Sequence, residues 1–176
     1  MEKHFKLTNE TKVNIFGVTL FRIECTIDCK WAKVGDKGGW VEKEDNIRGN
    51  AWVSGDAEVY GNAWVSGNAE VSGNARVYGD AEVSGNARVY GDAWVSGNAR
   101  VYGDADYCCF QSFGSCYRAT TVFREKDNGL CVRCGCFNGS LSDFEKAVER
   151  THGDNEFGKI YKAIIEVIKL GFNVKE

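Results

Sequence analysis

The sequence predicts a mainly β protein organised around a parallel β-helix, and three observations predict it. Ten hexapeptides follow one another without a gap, opening at Gly49, Gly55, Gly61, Gly67, Gly73, Gly79, Gly85, Gly91, Gly97 and Gly103. Each carries Ala and Val two positions apart, which places both on one face of a short strand and turns the variable residue between them outward. Each also opens with Gly followed by Asn or Asp, the pair that supplies a positive-φ corner. One small and one medium apolar residue per strand suits a narrow, filled interior. Three such strands close a triangular coil of eighteen residues, and stacked coils satisfy their backbone through parallel ladders. A low-complexity linker would let the Ala and Val slots slip; here they keep their frame up to the last repeat, where Tyr107 and Cys108 fill the final two slots.

The elements follow in order. Residues 1–36 read as a β-rich N-terminal cap, with Val18 to Cys25 in partial alternation and a turn-rich entry from Gly35 to Gly39. Such a cap would cover the unpaired edges at the open end of a solenoid. The β-helix is expected over residues 37–108, because Trp40-Val41 and Asn46-Ile47 extend the frame upstream as degenerate turns. Eighteen residues per coil set the outward residues in three columns: Trp40, Glu58, Arg76, Trp94; Trp52, Glu70, Arg88, Asp106; and Trp64, Glu82, Arg100. Glu is followed by Arg in every column, one ladder step of about 4.8 Å apart. Tyr60 and Tyr78 share a further column. Residues 109–176 read as a small α+β domain. Its hairpin runs from Thr120–Arg124 through the turn Lys126-Asp127-Asn128-Gly129 to Leu130–Cys134. One helix is expected from the capping box Ser142-Asp143-Phe144-Glu145 to Gly153. A second, ending at Gly171, should bury Phe157, Ile160, Tyr161, Ile164, Val167 and Ile168 on one stripe.

Composition narrows the function classes. The net charge of -3 offers no general attraction for phosphate backbones, and Arg76, Arg88 and Arg100 are each matched by a Glu in their own column, so nucleic-acid binding is not expected. No apolar run approaches the ~18 residues of a membrane span. The opening Met1-Glu2-Lys3-His4 lacks the apolar stretch of a secretory leader, so a cytoplasmic protein with its eight cysteines reduced is expected.

Two groups of residues are candidates for function. Trp52, Trp64 and Trp94, with Tyr60 and Tyr78, occupy outward slots of the coil, and exposed large aromatics mark an interface. The second group is the thiol cluster. Cys131, Cys134, Cys136 and His152 have the chemistry of a tetrahedral zinc site, although Cys131 should point away from Cys134 and Cys136 on a regular strand. Alternatively Cys134 or Cys136 is a nucleophile with His152 as its base, since His4 is the one other histidine of the chain. The plain alternative is that the cysteines are reduced, apolar packing and no cofactor is held.

Two resemblances extend this reading. The hexapeptide spacing is similar to that of left-handed β-helix acyltransferases and carbonic-anhydrase-like proteins, which implies a left-handed coil and assembly as a homotrimer. The coil has no histidine between His4 and His152, so the acyltransferase chemistry is not implied. Gly38-Gly39-Trp40-Val41-Glu42, Thr120-Thr121-Val122-Phe123-Arg124, Cys134-Gly135-Cys136-Phe137-Asn138-Gly139-Ser140-Leu141 and Thr151-His152-Gly153-Asp154-Asn155 together resemble a family of phage and prophage proteins. These combine a hexapeptide β-helix with a Cys-Gly-Cys-Phe C-terminal domain. That resemblance implies a viral protein in the host cytoplasm and supplies no activity. The expected function is non-enzymatic: an oligomeric scaffold that binds a host protein, such as a defence component, or a small ligand, and so inhibits or sequesters it. An enzyme with a C-terminal thiol site and a structural virion component are the alternatives.

Overall fold

The computed structural model describes residues 3–174, which divide into two compact units between Asp104 and Ala105. No helix among the described residues is long and apolar enough to cross a membrane.

The first unit is the β-helix and its cap. Strands β1 (Phe5–Val13) and β2 (Thr19–Cys25) form an antiparallel hairpin, and β2 pairs antiparallel with β3 (Lys37–Val41). Nine two-residue strands follow: β4 (Trp52–Val53), β5 (Glu58–Val59), β6 (Trp64–Val65), β7 (Glu70–Val71), β8 (Arg76–Val77), β9 (Glu82–Val83), β10 (Arg88–Val89), β11 (Trp94–Val95) and β12 (Arg100–Val101). They stack into three parallel faces, β3-β5-β8-β11, β4-β7-β10 and β6-β9-β12, so one coil is eighteen residues and three-sided. The upstream turns belong to it: Trp40 pairs with Glu58, and Ile47 bridges to Val65.

The slots obey the frame. Val53 to Val101 and Ala51 to Ala99 are essentially inaccessible, and the corner glycines from Gly49 to Gly97 all have positive φ. The predicted charge registers hold as well, with Glu70 beside Arg88, Glu58 beside Arg76 and Glu82 beside Arg100. Arg76 Nε lies 3.3 Å from Glu58, and Arg100 Nε lies 3.1 Å from Glu82. Glu58 is buried between Arg76 and Lys12, whose Nζ is 2.9 Å away.

The tenth repeat leaves the frame. Asp104–Asp106 form a 3-10 turn, and Ala105 is exposed instead of facing the coil interior. Tyr107 is buried, but as the first residue of a C-terminal strand opposite Phe123. Without Val in its slot, the repeat has nothing to place in the coil core.

The cap does more than close one end. Ile23 fills the space above the first coil, so a side chain at Gly38 would collide with it and with the Val53 carbonyl. His4 Nε2 lies 2.9 Å from the Ala51 carbonyl oxygen, which no coil above is present to meet. Asn46 Nδ2 likewise donates to the Ala63 carbonyl at 2.7 Å. Trp31, from the loop after β2, reaches down one face: its Nε1 donates to the Asn68 carbonyl at 3.2 Å, and Arg88 lies over its ring.

The second unit is an antiparallel meander of β13 (Tyr107–Phe113), β14 (Arg118–Arg124), β15 (Leu130–Cys134) and β16 (Phe137–Ser140), with helices α1 (Leu141–His152) and α2 (Glu156–Gly171). The predicted hairpin is β14–β15, with Asn128 at φ 65 in its turn. The helix start differs from the sequence reading. Ser140, not Ser142, is the N-cap of α1, accepting from the Asp143 N–H at 3.1 Å. Starting there puts Leu141 inside the helix and into the core formed with Val122, Val132, Phe144 and Ile168. On α2 the buried stripe is Tyr161, Ile164, Ile165 and Ile168; Val167, expected inside, is exposed.

Candidate functional site

The aromatic slots of the coil come first, because the N-terminal segment changes their standing. Trp52 is 2 % exposed, against the expectation of an open surface, with the His4 ring 5.9 Å from its own. Tyr60 is 5 % exposed; it stacks flat on Tyr78 at 5.1 Å, and Phe16 lies across both rings. Trp64 and Trp94 are half-buried beneath the guanidinium groups of Arg48 and Arg76, at 4.8 and 4.9 Å. Trp52 and Tyr60 are therefore packing residues rather than a contact surface. The reason is that the hairpin lies along the coil as well as over its end, which its own sequence pattern does not reveal.

The thiols are arranged in the second unit. Sheet alternation puts Cys134 on the face of β15 that carries Val132, towards the helices. Thr120, opposite it on β14, donates its hydroxyl to Cys134 Sγ at 3.2 Å, and the Tyr161 hydroxyl lies 3.7 Å from the same sulfur. Gly135, at φ 60, turns the chain into β16 and leaves Cys136 exposed at the turn. Cys131, three residues before Cys134, points to the other face, where its thiol donates to Asn138 Oδ1 at 3.3 Å. Burial pushes the Cys131 thiol up to about 11 and the Cys108 thiol up to about 12, so both are neutral at physiological pH.

His152 closes the arrangement from above. It sits in the last turn of α1, with its ring stacked at 5.5 Å on that of Tyr161 from α2. Burial first, and then its contact with Cys134, raises the Tyr161 hydroxyl well above the usual phenol range.

Together these groups wall a cleft of about 210 Å³. Cys134, Cys136 and His152, the three residues of the predicted thiol site, all line it. Cys131 does not, so the four-ligand set that included it is not assembled. Among the described residues no group of three His, Cys, Asp or Glu side chains is placed to hold a metal ion. Cys116, which the sequence offered with Cys109 as an alternative pair of metal ligands, reaches the cleft from the β13–β14 turn, while Cys109 does not line it; Arg118, at the start of β14, and Thr151, from α1, are lining residues that the sequence did not single out. Arg118 lies against Gly135, where an added Cβ would come 2.7 Å from its Nη1. Among the described residues, no Asp or Glu contributes to the wall. Such a site offers thiols, hydroxyls and a guanidinium to a small molecule. Among the described residues, no hydrogen bond links a cleft thiol to His152; Cys134 is engaged instead by neutral hydroxyls.

Residues 81–97 match the YdcK beta solenoid repeat. The match spans strands β9 to β11, about one coil, and covers a short part of the chain, so it speaks for the repeat and not for the second unit. The chain is a β-solenoid repeat protein with a C-terminal α+β unit. No curated protein matches it in sequence.

Proposed function

We propose that this is a non-enzymatic binding protein, in which the β-helix is the scaffold and the cleft of the C-terminal unit is the recognition site. The observation that carries this reading is the composition of the cleft. Cys134 is held by the Thr120 and Tyr161 hydroxyls, and the wall contains no carboxylate that would orient His152 as a base. The protein's partner is a host component or a small ligand, in keeping with the resemblance to phage and prophage proteins, and the setting is the host cytoplasm. Half-buried Trp64, Tyr78 and Trp94 are the predicted interface aromatics that keep surface for a contact between copies, in a homotrimer of left-handed coils.

The test is substitution at the cleft. Cys134→Ser and Cys136→Ser retain partner capture from a bacterial lysate, whereas Phe137→Ala and Thr151→Trp, which reshape the cleft, abolish it. Capture that survives all four variants overturns the reading.

A second reading is favoured by one observation: Cys134, Cys136 and His152 do line one cleft. In that reading a thiol attacks substrate and His152 carries the proton. It requires Cys136→Ser and His152→Ala to abolish turnover alike while both variants stay folded.

A further inference from the structure

We propose that the cleft receives a small anionic disulfide, with Arg118 holding the anionic group and Cys136 exchanging with one of its sulfurs. This rests on the cleft being the recognition site and names the class of molecule it takes.

The charge of the cleft points to an anion. Arg118 is a permanent cation. It is exposed, it lies against the main chain of Gly135, and no ion pair neutralises it among the described residues. In a chain with 25 acidic residues, the wall around it contains none. One feature opposes an anion: α1 ends at the cleft, and the carbonyl end of a helix carries a partial negative charge. That end is met in part, because the Gly153 N–H bonds the Val148 and Glu149 carbonyls and the Asn155 N–H bonds the His152 carbonyl. A full guanidinium charge outweighs what remains.

The sulfur chemistry points to Cys136. Cys134 is half-buried and accepts the Thr120 hydroxyl, so its approach is blocked on one side. Cys136 is exposed and follows directly on Gly135, the residue against which Arg118 rests. An anion on Arg118 therefore brings a sulfur a few bonds away to Cys136. In the exchange the Cys136 thiolate attacks one sulfur of the incoming disulfide. A new sulfur–sulfur bond forms as the old one breaks, and the departing half leaves as a thiolate that takes up a proton from water. The incoming disulfide is itself the oxidant, so nothing further is required.

The experiment compares two probes on the full chain at neutral pH: an aryl disulfide bearing two carboxylates, and its neutral amide counterpart. Adducts are located by peptide mass mapping, and exchange rates are followed by release of the coloured thiol. The carboxylate probe modifies Cys136 about tenfold faster than the neutral one, the size of one hydrogen bond to a charged group. Arg118→Gln removes that preference, so that both probes react with Cys136 at one rate; Arg118→Lys restores part of it. If Cys136 reacts with both probes equally, or if the preference survives Arg118→Gln, the anion assignment is overturned while the cleft remains an open site. If neither probe labels Cys136, Cys134 or Cys116, the three thiols of the cleft wall, the cleft reading fails with it.

Discussion

His4 shows how a single residue replaces a missing rung. From Ala69 to Ala99, each Ala carbonyl of the coil accepts a main-chain N–H from the coil before it, as Ala69 does from Trp52 at 3.0 Å. Ala51 belongs to the first full coil and has no such neighbour, so the His4 imidazole donates in its place. A buried carbonyl left without a donor costs about 1–3 kcal/mol. His4→Phe, which preserves ring volume, is expected to lower stability by that amount in urea unfolding; an unchanged midpoint would refute the assignment. The corner side chains follow a similar logic. Asn74 donates to Asp92 at 2.9 Å, and Asn62 to Asp80 at 3.1 Å. Asp56, Asn74 and Asp92 share one column, so the amide separates two carboxylates. Asn74→Asp stacks three acids, and like charges directly opposite are destabilising by roughly 0.2–1 kcal/mol each. The loss should shrink in high salt and vanish at a pH where the carboxylates are protonated. A salt-independent loss would point to shape rather than charge.

At the scale of elements, the thiols of the C-terminal unit divide by burial. Cys108 and Cys131 are held neutral by burial, whereas Cys116 and Cys136 are exposed at turns. Iodoacetamide at pH 8 should therefore alkylate Cys116 and Cys136 at least about tenfold faster than the other two, since the thiolate is the reacting form. Equal labelling of all four would contradict the burial. The same shifts set an alkaline limit. A thiol whose folded value is raised from 9.0 to about 11, as for Cys131, leaves stability intact below pH 9 and removes it progressively up to about 11. The β-helix was legible in the sequence because every slot has a single geometric role, with Gly at the corner and Ala and Val in the interior. The cleft was only half legible. Cys116, Cys134, Cys136 and His152 stood out as chemical types, but Arg118 opens a strand after a turn whose sequence has no period, and nothing in the sequence aims it at the thiols. Strand β16, Phe137–Ser140, was missed because it is short and carries Asn-Gly, a turn signal. The capping box at Ser142 lost to Ser140 because only the earlier start buries Leu141.

At the scale of the molecule, the coil is a one-dimensional stack, so its length should be adjustable in whole coils and in no other step. Removing residues 79–96 deletes eighteen positions and joins Tyr78 to Gly97. Every remaining Ala and Val keeps its slot, and Arg100 stays on the same face, now below Trp64. Stability falls because one coil's interfaces are lost, while unfolding remains cooperative. Removing residues 79–87 is half as long and joins Tyr78 to Arg88. It deletes a corner, and its odd length reverses the in-out alternation beyond the junction. Val89, Val95 and Val101, all fully buried in the intact coil, must then face solvent or force a local loop. Exposing each valine costs about 1.5 kcal/mol or more. The Glu–Arg pairs, at roughly 0.2–1 kcal/mol each, cannot offset three such losses. Thermal unfolding followed by circular dichroism should therefore give a single, lowered transition for the eighteen-residue deletion. The nine-residue deletion should give a broad transition at lower temperature, although it removes less of the core. If the shorter deletion is the more stable of the two, the interior is not held by the slot frame and the three-sided coil does not govern this fold.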